Sequence, residues 1–185
     1  MHFKNINFFY FVDNFNKALI DKLPKNTSII YRNYQMPINV NSILQLKKMC
    51  KKKNIKFFLS NNTKLAIKLG LDGAYLPAFS KTRKHNAFNF RKNFQLIGSA
   101  HNLKEIREKE CQNVNYIFLS PVFLTEKRKN FLGIYKFMNL TKLTDKKIAC
   151  LGGINIKNIK RLKMVKLNSI AGIRLFNDKN FLKMI

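Results

Sequence analysis

Acidic side chains are scarce in this chain of 185 residues, with 9 Asp and Glu against 36 Lys and Arg, a formal charge of +27. A Mg²⁺ cage built wholly by protein draws on several carboxylate oxygens, so none is expected. Cys50, Cys111 and Cys150 are odd in number and far apart. They read as reduced thiols of a cytoplasmic protein rather than a disulfide framework or a metal cluster. Of the three histidines, His2 and His85 look incidental, and no Ser/His/Asp or Cys/His constellation stands out. No apolar run reaches the ~18 residues of a membrane span, so no membrane partner is expected. At the N-terminus, Asp13 interrupts "NFFYFV" and no small-residue cleavage site follows, so no signal peptide is expected.

What is present is alternation. Strand-like runs occupy 7–13, 28–33, 56–61, 73–77, 95–100, 116–123, 147–153 and 170–176. Helix-like stretches lie at Asn16 to Leu23, Val40 to Lys53, Thr63 to Leu69, Leu103 to Cys111, Tyr135 to Leu143 and Ile156 to Leu167. In the last of these, Ile156, Ile159, Leu162 and Val165 share one helical face. Eight βα units predict an α/β fold, a compact single-domain (β/α)8 TIM barrel over 1–185, with an open doubly wound sheet as the alternative. The fourth unit lacks helical periodicity in "AFSKTRKHNAFNFRKNF" and is expected to be a loop or short helix.

Ligands of such folds meet the C-terminal ends of the strands. Those ends read Asp13; Arg32 and Asn33; Ser60, Asn61 and Asn62; Pro77; Ser99 and His101; Ser120 with the Thr125–Lys129 loop; Gly152 and Gly153; Arg174 and Asn177. Hydroxyls, amides and guanidinium groups donate hydrogen bonds to oxyanions. Paired glycines after a strand let backbone N–H groups approach a phosphate. Among the carboxylates, Asp72 precedes its strand and Glu105, Glu108 and Glu110 fall on an outer helix. Asp13, Glu126 and Asp178 are those able to face a site.

The lysines are spread along the chain, a pattern that codon bias produces and that differs from the gathered stripe of a nucleic-acid protein. Basic and aromatic residues interleave in "KTRKHNAFNFRKNF", as single-stranded RNA binding requires. The competing reading turns Phe88, Phe90 and Phe94 into the barrel wall. A nucleic-acid partner is therefore the lesser alternative to phosphorylated small molecules.

The motifs "LGLDGAYLP", "IGSAHNLKEI", "YIFLSPVFLTEKRKNFLGI", "ACLGGINIKNIKRL" and "IAGIRL" stand in an order that resembles the thiamine phosphate synthase and thiazole tautomerase superfamily over about residues 27 to 177. The resemblance implies a (β/α)8 barrel, cytoplasmic, that joins a pyrimidine methyl diphosphate to a thiazole phosphate with loss of pyrophosphate. By this matching the Thr125–Lys129 loop is the pyrophosphate clamp, with Arg128 at the usual lysine and Lys127 beside it. Arg32, Asn61, Asn62, Ser99 and His101 complete that side, while Gly152, Gly153, Gly172, Arg174 and Asn177 hold the thiazole phosphate.

The chain also departs from the pattern. Gln-x-Arg-x-Lys appears as Ile30, Arg32 and Tyr34, Asn-Asp-Asp as Ser60-Asn61-Asn62, and Gly-Gln-x-Asp as "LPAFS". The tautomerase histidine falls at Pro121. The metal-binding aspartates are thus replaced, and Mg²⁺ is expected only if pyrophosphate carries it in. A diverged paralogue that binds phosphorylated ligands without synthase activity is the alternative.

Overall fold

The computed structural model describes residues 6–126, 129–165, 167 and 169–184. Eight parallel strands close into one barrel in chain order: β1 (Asn7–Val12), β2 (Thr27–Tyr31), β3 (Phe57–Ser60), β4 (Gly73–Leu76), β5 (Gln95–Ala100), β6 (Tyr116–Leu119), β7 (Lys147–Leu151) and β8 (Ser169–Gly172). β1 pairs with both β2 and β8, so the open doubly wound alternative is excluded. Helices α1 (Lys17–Lys22), α2 (Val40–Lys53), α3 (Thr63–Lys68), α4 (Leu103–Cys111), α5 (Gly133–Thr141), α6 (Ile156–Ile159) and α7 (Lys179–Met184) follow the strands. After β4 there is only a 3₁₀ turn at Lys84–Ala87. No helix among the described residues is long and apolar enough to cross a membrane.

Strand parity divides the core in two. Phe8, Tyr10, Ile29 and Phe57 point outward to the helices, whereas Phe9, Phe11, Ile30, Phe58, Tyr75, Ile97, Phe118, Ala149 and Ala171 fill the barrel. Each helix presents one face to that outer layer: Ile43, Leu46 and Cys50 on α2, and Ile134, Phe137 and Leu140 on α5. Asparagine starts five of the helices. The side chains of Asn16, Asn39, Asn62, Asn102 and Asn155 each accept the backbone N–H three residues on, satisfying a donor the helix leaves open.

Three expected boundaries move by more than two residues. The sixth strand ends at Leu119, before a cis Ser120–Pro121 peptide. The eighth ends at Gly172, so Arg174, expected in the strand, and Asn177, expected just after it, share a 3₁₀ turn (Arg174–Asn177). The helix expected over 156–167 is α only to Ile159 and continues as a 3₁₀ turn over Lys160–Met164; Ile159 and Leu162 still face the core.

The missing fourth helix is compensated from α4. Lys109 is fully buried, three positions after Ile106 on the core-facing side. Its ammonium donates to the carbonyls of Pro77 and Ser80 and to Gln112 Oε1, each at 2.8 Å. Gln112 Nε2 donates to the carbonyls of Ser80 and Thr82, and buried His85 meets the Gln112 carbonyl at 2.9 Å. The loop after β4 is thereby tied to α4 by polar bonds where other units use helix packing. Farther along it, Phe90 and Phe94 stack on each other and pack against the core; Phe88 is half-buried.

Burial pushes the Lys109 ammonium down to about 8 from an ordinary 10.5, with Glu108 and Glu105 opposing. Between those values the unfolded chain binds the extra proton, so this group's penalty on the fold is relieved as pH rises through 8. In urea titrations, Lys109→Met should lose about 3 kcal/mol at pH 7, because buried carbonyls lose their donors. Its deficit against wild type should grow between pH 8 and 9.5. A deficit that does not change with pH would mean the ammonium is not strained in the fold.

Candidate functional site

Two residues beyond the apolar inward positions, the same parity brings polar groups to the top of the barrel. Arg32 follows Ile30, Ser60 follows Phe58, Ser99 follows Ile97 and Ser120 follows Phe118. Beneath them is a floor of rings: Phe9 lies 4.9 Å from Phe118 between centres, Phe11 5.1 Å from Tyr75, and Tyr75 5.8 Å from Phe118. The inward residues of β7 and β8 are instead Ala149 and Ala171. A cavity of about 1270 Å³ opens at this end, lined by Arg32, Ser99, Ser120, Thr125, Gly152, Gly153 and Gly172 among others.

The expected residues do not all reach it. The Arg32 guanidinium lies 4.7 Å over the Phe11 ring, so its planar face is held by a cation–π contact. Ser99 hydrogen-bonds the Tyr75 phenol, which burial raises to about 12 and so keeps neutral. His101 Nδ1 approaches the Ser120 carbonyl at 2.6 Å and its hydroxyl at 3.2 Å. A carbonyl can only accept, so Nδ1 carries the proton in the neutral ring. Asn61 is left-handed (φ 58) and donates its backbone N–H to the Tyr75 carbonyl; Asn62 caps α3. Neither lines the cavity, and Asn177 lies outside it too, accepting from the Tyr10 hydroxyl at 3.2 Å. Lys127 and Arg128, the centre of the expected clamp, lie outside the described residues.

The glycine pair has a packing reason of its own. Gly152 and Gly153 have φ of +92° and +70°. A Cβ on Gly153 would sit 2.4 Å from the Phe123 carbonyl oxygen, and one on Gly152 2.8 Å from Pro121. The loops after β6 and β7 therefore touch backbone to backbone, tied by Val122 N–H to Leu151 O and Phe123 N–H to Gly152 O. Arg174 forms a two-pronged pair with Glu126, which links the loops after β6 and β8 across the mouth. Both side chains are mostly exposed, and the carboxylate pushes the guanidinium still higher.

Several lining residues were not anticipated: Tyr34, Phe79, Lys81, Lys104, Glu105 and Glu108. Tyr34 continues the Ile30–Arg32 alternation and could have been found by extending it past the strand. The others border the gap left by the missing fourth helix. Glu105 and Glu108, expected on an outer helix, reach the flank of the cavity, while Asp13 and Asp178, which sequence position allowed to face a site, do not line it. Asp178 instead accepts the backbone N–H of Asn180.

These donors do not fit a dedicated Mg²⁺ site. Glu126 is paired with Arg174, Glu105 accepts the His101 backbone N–H and the Asn102 amide, and Glu108 pairs with Arg83. No three His, Cys, Asp or Glu converge among the described residues.

Comparison with known proteins places this geometry. A solved structure of thiamine phosphate pyrophosphorylase from Pyrococcus furiosus superposes with a TM-score of 0.77 at 18% identity, covering 97% of this chain and 92% of that one, a likeness of fold. A curated thiamine-phosphate synthase of Prochlorococcus marinus is 30% identical over 111 residues, 58% of this chain and 32% of that protein. One from Bacillus licheniformis is 29% identical over 87 residues, 46% of this chain and 38% of that protein. The chain thus spans about a third of the length of the curated relatives it matches. The model of the thiamine monophosphate synthase family matches residues 13–176, nearly the whole barrel, and the chain belongs to that family.

Proposed function

We propose that this barrel is a thiamine phosphate synthase-like transferase, joining a pyrimidine methyl diphosphate to a thiazole phosphate in the mouth after its strands. The observation that carries the reading is the cavity, polar above an aromatic floor. Its 1270 Å³ exceeds the roughly 300–1,000 Å³ of a single-ligand pocket and suits two substrates side by side. In the transfer, the bond from the pyrimidine methylene carbon to the diphosphate oxygen breaks, and its electron pair leaves with pyrophosphate. The thiazole nitrogen lone pair closes the new C–N bond, giving a thiazolium cation with no proton moved.

The protein's part is electrostatic and positional. Arg32 and the hydroxyls of Ser99, Ser120 and Thr125 face the departing pyrophosphate. The rings below offer the electron-deficient carbon π faces in place of water. Backbone N–H groups around Gly153 and Gly172 receive the thiazole phosphate. A second reading, a paralogue that binds phosphorylated ligands without transferring them, is favoured by one observation: the carboxylates at the cavity are already engaged, so metal assistance to the leaving group has no protein ligands ready.

Mixing purified protein with both substrates should yield thiamine phosphate with Mg²⁺ and also with EDTA. Product only with Mg²⁺ would place metal binding where the donors argue against it. No product from folded protein would remove the synthase reading and leave the binding paralogue. In the same cavity Glu126 competes with phosphate for Arg174, so Glu126→Gln should tighten inorganic phosphate binding about threefold by calorimetry and Arg174→Ala should weaken it. Equal affinities in all three proteins would remove Arg174 from the phosphate site.

A further inference from the structure

The cavity rim on the β2–β4 side carries two aromatic rings that the core does not use. Tyr34 is 51% exposed and Phe79 64%, yet both line the cavity and meet edge to face, 5.7 Å between ring centres. Tyr34 is also oriented, its phenol oxygen 2.7 Å from the Ser60 hydroxyl. Side chains left this open usually sample several rotamers, whereas here a hydrogen bond to the strand end and a ring contact hold the pair. Exposed aromatic surface is costly in water and is recovered when another ring packs on it. Across the mouth stand hydroxyls and glycine backbone, groups suited to an oxyanion and not to a ring.

We infer that Tyr34 and Phe79 form a ring-recognition wall, a specificity-determining pair that packs on the planar ring of a phosphorylated ligand whose phosphate lies toward Ser99 and Gly153. The inference rests on the reading that this mouth binds phosphate. Diphosphate alone leaves the wall wet, and an aliphatic phosphate covers it without π contact. A planar heteroaromatic phosphate occupies both halves. Tyr34 and Phe79 are positioning residues, acting on which ligand stays and in which orientation, and neither exchanges a proton with it.

The test is calorimetric titration with three probes: inorganic phosphate, phenyl phosphate and cyclohexyl phosphate. Wild type should bind phenyl phosphate about tenfold more tightly than inorganic phosphate, with cyclohexyl phosphate between them. Phe79→Ala and Tyr34→Ala should each remove most of that preference while the affinity for inorganic phosphate stays level. Tyr34→Phe, which keeps the ring, should retain most of it.

Equal affinity of wild type for all three probes would overturn the wall and leave the phosphate site standing. A phenyl preference that survives both alanine substitutions would overturn it as well, placing ring recognition elsewhere. Failure of every probe to bind would sink the phosphate reading and the wall together. The rim continues onto exposed Met36 and Ile38. If the alanine variants altered sedimentation in place of ligand affinity, the rings would belong to a protein interface and the inference would fall.

Discussion

Crowding of aromatic rings onto one side of the barrel interior decides where a ligand can go. β1, β3, β4 and β6 send Phe9, Phe11, Phe58, Tyr75, Tyr116 and Phe118 inward, and β7 and β8 answer with alanines. Rings of that volume could not be matched by rings from all eight strands at interior packing density. The small residues are therefore a packing requirement at the floor. Higher up, Leu151 is the last inward residue of β7 before the chain turns at Gly152 and Gly153, which line the cavity on this side. The glycines also let the loops after β6 and β7 touch along their backbones. A larger residue there would displace the loop that carries Thr125 and Glu126, so floor, mouth and loop are one mechanical unit.

The fourth unit solves a different problem. With no α-helix in the connection between β4 and β5, the chain runs there as an irregular loop, and irregular backbone has carbonyls that need donors. Lys109 and Gln112 supply those donors from α4, and His85 fixes the loop's 3₁₀ turn to the same place. A buried ammonium is tolerated because its three N–H bonds are all used. The consequence reaches the site: Phe79 and Lys81 lie on this loop, so the polar plug behind it holds that edge of the cavity.

Much of the fold was readable because two periods, 2.0 and 3.6, alternate cleanly; the α2 and α4 limits coincide with those expected. The strand ends were harder. The run "IAGIRLF" is β-like throughout, but Phe176 turns back to pack with Phe8 and Phe181, and the chain leaves the sheet at Gly172. Asn62 looked like a ligand-binding amide because caps and oxyanion donors use the same residue types. Lys109 could not be found from composition, since a lysine at a core position differs from its neighbours only through partners 29 to 32 residues away. The cavity's upper wall was read in part: Arg32, Ser99 and Ser120 follow from parity, as Tyr34 does once the alternation is carried past the strand, whereas Phe79 stands on a loop beyond the reach of strand periodicity.

The charge of the chain links composition to this site, whatever produced it. A field of +27 is screened within about 8 Å at physiological ionic strength, so distant lysines add little inside the mouth. Local balance matters more. Of the three carboxylates bordering the cavity, Glu126 is offset by Arg174 and Glu108 by Arg83, and Glu105 accepts the His101 backbone N–H and the Asn102 amide, while Arg32, Lys81 and Lys104 stand on its wall with no ion pair to a carboxylate among the described residues. With Arg32, Lys81, Lys104 and Arg174 against Glu105, Glu108 and Glu126, the lining as a whole is net positive. A mouth of that sign favours the approach of anions before any specific bond forms. Charge thus accounts for attraction and has little to say about selection. Selection has to come from the shape and chemistry of the two walls, one built of hydroxyls and backbone, the other of rings.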